Sequence, residues 1–113
     1  MRGLPLRGWP ANVVQPLVGR VERLIRSRSV AEFYIGRSSD LAATMSRHGC
    51  DAILELYQTS SPDNAMDVET ALVDEFRAHR KCSNDAADSR GGVSEEYADS
   101  VYLAIWRRQR GES

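Results

Sequence analysis

Three short apolar runs constrain the fold of this chain more than any other feature of its sequence. They are residues 31–36 (AEFYIG), 52–60 (AILELYQTS) and 100–106 (SVYLAIW), and they are rich in the aromatic and β-branched residues that favour strands. Segments of helical character separate them, in the order helix, strand, helix, strand, helix, loop, strand. We therefore predict an α+β domain with a small three-stranded sheet flanked by helices.

The helices are predicted from apolar periodicity and from helix-start signals. Over residues 12–27 apolar side chains recur at intervals of three and four, which is typical of an amphipathic helix. Because Pro16 is tolerable only in a first turn and Gly19 weakens the helix interior, we expect packing to hold this helix. A short helix, LAATMSRH at 41–48, follows a run of cap residues. The third helix begins with the Ser-Pro-Asp sequence at residue 61 and runs to about His79.

Length and composition indicate one globular domain. The 113 residues are 42% hydrophobic and 27% charged, which excludes disordered and fibrous classes. We predict a single domain over residues 1–113, with an N-terminal helix at 12–27 and a core at 31–106. Because we find no membrane-spanning run, no signal peptide and no metal-ligand spacing at the two cysteines, we expect a cytoplasmic protein with free thiols and no membrane partner.

Positive charge is concentrated in the first part of the chain. Through His48 there are eight arginines and three acidic residues, a net charge of +5, whereas the remainder has seven basic and thirteen acidic residues, a net charge of −6. The local field matters more to an approaching polyanion than the total charge does. A nearly neutral protein can therefore still present a basic surface to phosphate groups.

Several polar side chains have the chemistry that phosphodiester cleavage requires, which is activation of water and a cation to receive charge on the phosphate. Tyr34 lies in a strand that ends at Gly36, where the missing side chain allows close approach to a ligand. Glu69 lies close to the buried stripe of the third helix, where a carboxylate is costly unless it is paired or metal-bound. Asn84 lies at the start of the polar loop 81–96. Other candidates lie near the second helix: Arg37, Arg47 and His48.

These residues resemble the pattern of one nuclease family. The segment FYIGRSSDLAATMSRH is similar to the second half of the GIY-YIG nuclease signature, in which a Tyr-Ile-Gly strand precedes a polar turn, an Asp-Leu helix start, an arginine and a histidine. DVETALVDEF resembles that family's metal-binding glutamate helix, and the fifteen-residue step from Glu69 to Asn84 matches its glutamate-to-asparagine spacing. The similarity covers residues 32 to 92.

The resemblance implies a small mixed domain that hydrolyses DNA phosphodiester bonds with one divalent cation, Mg²⁺ or Mn²⁺. By position, Tyr34 would be the motif tyrosine near the attacking water, and Gly36 the close-approach glycine. Glu69 would be the metal ligand. His48 would assist in the active site, and Asn84 would be an orienting or a structural residue.

Two parts of the family pattern are not at their usual positions. The first motif, GIY, should lie shortly before Tyr34, where this chain has LIRSRS. We therefore expect the C-terminal strand, with Tyr102, to replace the usual first strand. The family's helix arginine falls at Thr44, and we expect Arg47 or Arg37 to reach the phosphate with its long side chain instead.

Three functions are consistent with these observations. The leading prediction is a divergent GIY-YIG-like endonuclease that acts on DNA. An alternative is a catalytically degenerate domain of the same fold that binds nucleic acid or a protein partner without cleaving. The third is an interaction module that forms a homodimer through its N-terminal helix.

Overall fold

The structure, a computed structural model, describes residues 5–84 and 98–108. In these ranges the elements follow one another in the predicted order: helix α1 (Pro10–Ile25), strand β1 (Val30–Ser38), helix α2 (Leu41–His48), strand β2 (Ala52–Gln58), helix α3 (Pro62–Phe76) and strand β3 (Ser100–Arg107). The predicted α+β class is therefore confirmed. Most of the predicted loop 81–96, from residue 85 onward, lies outside the described residues.

Strand β3 is the central strand of the sheet, although it is the last in the sequence. The order is β1-β3-β2, and β3 runs antiparallel to both neighbours. In the β1–β3 pair, Gly36 lies opposite Tyr102 and Tyr34 lies opposite Ala104. As expected from the sequence, the C-terminal strand thus pairs directly with the strand that carries Tyr34.

The two faces of the sheet carry different sets of side chains, because successive residues of a strand point to opposite faces. One face forms the larger core with helices α1 and α3, which includes Leu17, Phe33, Ile35, Leu72 and Leu103. The opposite face carries a smaller cluster, whose side chains from β1 and β3 are Tyr34, Tyr102 and Ala104, and it is covered by Leu41 and Met45 of α2. The predicted aromatic site residues are therefore on the face that α2 covers.

Helix α1 begins at Pro10, two residues earlier than predicted. Pro16 consequently lies in the second turn of the helix, beyond the first turn in which a proline is readily tolerated. A proline at an interior position removes one backbone hydrogen bond and crowds the preceding turn, at a cost of about 3 kcal/mol. The helix continues past Pro16 because Leu17 and Val21 on its other side are completely buried in the core.

The other helix and strand boundaries shift by a few residues. Helix α3 ends at Phe76 rather than near His79, because the chain turns there: His79 N–H donates to Phe76 O and Cys82 N–H donates to His79 O, both at 2.9 Å. Strand β1 extends beyond its predicted range at both ends, and β2 ends at Gln58. Among the helices in the described ranges, none is long and apolar enough to cross a membrane.

The outer edge of β1 is covered by the chain that follows α3. Phe33 N–H donates to Lys81 O, and Ser83 N–H donates to Phe33 O, both at 2.9 Å. Beside them, the side chain of Asn84 binds the backbone of Ile35 on the same edge. The first residues of the predicted loop thus saturate an edge that would otherwise be open to pairing with another chain.

The apolar stripe of α1 is covered within the chain. Val13, Leu17, Val21 and Ile25 are buried in the core that α3 and the sheet complete. This packing covers the surface on which the predicted homodimer depends. Dimerisation itself stays a prediction.

We expect Leu17→Ala to lower the free energy of unfolding by about 2–5 kcal/mol, since it opens a cavity in the core. Leu17 packs within its own chain, so urea unfolding should give the same loss at every protein concentration. A loss that varies with concentration would instead assign the stripe to an interface between copies. Gln15→Ala, at an exposed position of the same helix, is the control and should change stability by less than about 0.5 kcal/mol.

Candidate active site

Gly36 permits a close approach of two tyrosine rings. A Cβ atom at this position would lie 2.6 Å from Oη of Tyr102 and 2.8 Å from Cε1 of Tyr34. The sequence predicted a close approach at Gly36, with a ligand as the approaching group. In the structure the approaching group is the Tyr102 side chain from the neighbouring strand.

One aromatic cluster lies between α2 and the sheet, and it contains Tyr34, His48 and Tyr102. His48 Nε2 lies 2.7 Å from Tyr102 Oη, a hydrogen bond whose donor depends on the imidazole tautomer. The Tyr34 ring centroid lies 4.9 Å from that of His48 and 6.3 Å from that of Tyr102. The structure thus brings together three of the predicted site residues, each from a different element.

Burial raises the pKa of both tyrosines above its ordinary value. For Tyr34 the next contribution to the raised pKa is the negative charge of Glu69, and for Tyr102 it is the hydroxyl of Tyr34. The positive charge of Arg47 opposes the pKa shift in both cases. Both hydroxyls are therefore protonated at neutral pH and can donate a hydrogen bond.

A cleft of about 240 Å³ opens at the β1 side of α3. Its lining includes Tyr34, Glu69 and Asn84, the three residues that the sequence comparison placed in one site. They are far apart in the sequence, and the pairing of β1 with the segment after α3 brings them together. Their proximity is a property of the fold, and their function stays a prediction.

Glu69 is paired inside the protein with Arg37. Arg37 Nε lies 2.8 Å from Glu69 Oε1, and the two side chains are 10% and 11% exposed. Because side chains alternate along a strand, Arg37 lies on the face that α3 covers, opposite to Tyr34. The sequence predicted that Glu69 needs a partner, and Arg37, which we expected at the phosphate, is that partner.

Asn84 uses both ends of its amide to hold β1. Its Oδ1 accepts from Ile35 N–H at 2.9 Å, and its Nδ2 donates to Ile35 O at 2.7 Å. Cys82 Sγ also donates to Oδ1, at 3.3 Å. Of the two predicted roles of Asn84, these contacts favour the structural one.

The position of the family's helix arginine faces the interior. Thr44 is completely buried, and its Oγ1 lies 2.6 Å from Ser38 Oγ. Arg47, one turn later, is exposed and does not line the cleft. Its positive charge lies close enough to Tyr34 and Tyr102 to lower the pKa of each hydroxyl. The structure therefore brings neither Arg47 nor His48 into the cleft itself.

Three cleft residues were missed by the sequence analysis or assigned to solvent: Thr70, Asp74 and Arg77. Asp74 follows Thr70 by four residues and Arg77 follows Asp74 by three, so these side chains lie along one face at the end of α3. Asp74 and Arg77 form an exposed pair, in which Asp74 Oδ1 lies 3.5 Å from Arg77 Nη1. This helical spacing was the signal that could have found them.

Two carboxylates, of Glu69 and Asp74, line the cleft. Within the described part of the chain, no group of three or more His, Cys, Asp or Glu side chains could hold a metal ion. Magnesium is often bound by only one or two carboxylates and completes its shell with water and phosphate oxygens. Glu69 has the chemistry of such a ligand, and its binding of a cation stays a prediction.

The resemblance to GIY-YIG nucleases is supported only by the motifs in the sequence of this chain. No family model, curated protein or solved structure matches it. The family assignment therefore stays a prediction. The aromatic cluster, the cleft and the buried ion pair are the features from which a function can be proposed.

We expect Gly36→Ala to lower the free energy of unfolding by about 1–3 kcal/mol, because the added Cβ would force the tyrosine rings apart. Gly19→Ala is the control. It lies inside α1, where a Cβ would meet nothing closer than Arg23 Nη1 at 3.8 Å, and it should raise stability by about 0.5–1 kcal/mol. Urea unfolding measures both, and a Gly36→Ala protein as stable as the wild type would contradict the close approach.

The raised pKa of Tyr102 predicts a loss of stability in alkali. The unfolded chain releases the tyrosine proton near pH 10, whereas the folded chain retains it. The contribution of Tyr102 protonation to the free energy of unfolding is therefore complete below about pH 10, and it is lost as the pH rises through the folded-state pKa. Tyr102→Phe should flatten the fall of the free energy of unfolding between pH 9 and about pH 11. Equal slopes for the two proteins would contradict this prediction.

Proposed function

We propose that this chain is a divergent GIY-YIG-like endonuclease domain, which hydrolyses DNA phosphodiester bonds with one divalent cation, Mg²⁺ or Mn²⁺. The supporting observation is that Tyr34 and Glu69 line one cleft, beside the hydrogen-bonded pair of Tyr102 and His48. A hydroxyl, a carboxylate and an imidazole within one small region are the groups that such a reaction uses.

Each side chain has a role that follows from its surroundings. Tyr34, which burial keeps protonated, donates a hydrogen bond to the attacking water or to a phosphate oxygen. His48 and Tyr102 share a 2.7 Å hydrogen bond, which fixes the orientation of the tyrosine pair. Glu69 would hold the cation, with Asp74 adding negative charge to the same cleft, and the bound cation would stabilise the charge that develops on the phosphate.

The cleft also contains a positively charged side chain that can contact the substrate. This is Arg77, and Arg47 lies near the tyrosines on the other face of the sheet. The N-terminal part of the chain is basic, and a local concentration of positive charge attracts a polyanion. DNA is therefore the partner we propose. The compartment we propose is the cytoplasm, in which free thiols such as Cys50 and Cys82 stay reduced.

Two observations favour a second candidate, a domain of this fold that binds nucleic acid without cutting it. The position of the family's arginine is the buried Thr44. In addition, the carboxylate of Glu69 already has a cationic partner in Arg37. Losing one preorganised donor at a phosphoryl site costs a factor of about 10²–10³ in rate, which would leave binding as the main activity.

The first experiment is conversion of supercoiled plasmid in Mg²⁺ or Mn²⁺. We expect the wild type to nick the plasmid and Glu69→Gln to slow nicking about 100-fold or more, since the variant keeps the side-chain shape but loses the charge that holds the cation. Glu75→Gln is the matched control, because Glu75 is an exposed acid on the same helix outside the cleft. It should nick at the wild-type rate.

The same preparation separates the candidates. Intact plasmid with a salt-dependent gel shift would contradict the nuclease and support the binding domain, because affinity for DNA phosphates falls steeply with salt. Neither nicking nor a shift would contradict both. Equal loss of nicking in Glu69→Gln and Glu75→Gln would contradict the role given to Glu69.

A further inference from the structure

The buried pair of Arg37 and Glu69 has a consequence for the metal, given the proposed function. Glu69 lines the cleft, whereas Arg37 does not and lies behind it. Both residues are buried. A cation that enters the cleft to bind Glu69 therefore approaches a carboxylate whose charge is already balanced by a neighbour out of reach of solvent screening.

The pairing leaves part of the guanidinium unsatisfied. Although Arg37 Nε lies 2.8 Å from Glu69 Oε1, neither Nε nor Nη1 makes a hydrogen bond of acceptable geometry to any described residue. Both nitrogens are buried. An arginine presents five donors and is best satisfied by two parallel bonds to one carboxylate or phosphate. This guanidinium is held by charge more than by directed hydrogen bonds.

Among the described residues, the charges around the cleft balance before any ligand binds. Glu69 and Asp74 contribute two negative charges, and Arg37 and Arg77 contribute two positive ones. A divalent cation alone would leave an excess of two positive charges in a partly buried region, which is unfavourable at low dielectric. A phosphodiester carries one negative charge and offsets half of that excess.

We propose that Arg37 is the built-in counter-ion of Glu69, and that it makes binding of a divalent cation at this carboxylate dependent on the phosphate group. In the free protein the cation and Arg37 compete for Glu69, and binding is weak. A phosphodiester in the cleft adds a negative charge, which favours binding of the divalent cation while the Arg37 guanidinium stays in place. Cation and phosphate therefore bind cooperatively, and each raises the affinity of the other by the same factor.

The test is Mn²⁺ binding to the folded chain, followed by isothermal titration calorimetry. Arg37→Met keeps the length and apolar stem of the side chain and removes its charge. We expect it to bind Mn²⁺ about tenfold more tightly than the wild type, a coupling of ordinary size for interacting sites. Mn²⁺ should also raise the melting temperature of Arg37→Met more than that of the wild type, because it replaces the lost counter-ion.

Arg23→Met is the control, because Arg23 is exposed on α1 and does not line the cleft. Its charge is screened by solvent, so the Mn²⁺ affinity should stay within about threefold of the wild type. Arg37→Met combined with Glu69→Gln should bind Mn²⁺ no more tightly than the wild type. Equal Mn²⁺ affinity in Arg37→Met and the wild type, or an equal gain of affinity in Arg23→Met, would overturn the proposal.

A second measurement does not need Arg37→Met and decides the matter if that variant does not fold. Diethyl phosphate, a simple phosphodiester, should tighten Mn²⁺ binding to the wild type about tenfold at saturation. Glu69→Gln should show no such effect. Mn²⁺ affinity that is independent of diethyl phosphate would overturn the proposal.

Failure of this proposal and failure of the proposed function are distinguishable. Phosphate-dependent Mn²⁺ binding at Glu69 without plasmid nicking would support the counter-ion role and contradict the nuclease. Nicking that depends on Glu69, together with phosphate-independent Mn²⁺ binding, would support the nuclease and overturn the role given to Arg37.

Discussion

The insertion of β3 between β1 and β2 is the interaction on which the rest of the structure depends. It joins the last described strand of the chain to the strand of Tyr34, across more than sixty residues of sequence. This pairing completes the sheet that α1 and α3 cover on one face and α2 on the other. It also brings Tyr102 over Gly36, where only a glycine leaves room for the ring. The aromatic cluster therefore depends on a pairing of strands that are distant in sequence.

The candidate site combines groups from both faces of the sheet, and the edge of β1 makes this possible. Tyr34 belongs to the face of α2, whereas Glu69 comes from α3 on the other face, and both line the cleft at that edge. Asn84 fixes the edge with two hydrogen bonds to Ile35. An edge strand is normally a liability for aggregation. Here the residues that cover it also form a wall of the cleft.

Electrostatic balance limits what this cleft can bind. A buried ion pair contributes little to net stability, since the cost of desolvating two charges offsets much of their attraction. Within the described residues, Nε and Nη1 of Arg37 make no hydrogen bond of good geometry, although Nε lies 2.8 Å from Glu69 Oε1. In the proposal made above, this pair keeps the charge of the carboxylate balanced until a phosphate binds.

Local sequence signals were sufficient to predict the elements. The apolar runs indicated the strands, the caps at Asp40 and Ser61 located α2 and α3, and the need of Glu69 for a partner followed from its position beside the buried stripe. The start of α1 was misplaced because core packing, which the local pattern does not record, carries the helix past Pro16. The choice of Arg37 as the partner of Glu69 and the occupation of the space above Gly36 by Tyr102 were decided by tertiary structure alone. Both depend on strand register and on which face a side chain meets, and these are fixed only when segments distant in sequence pack together.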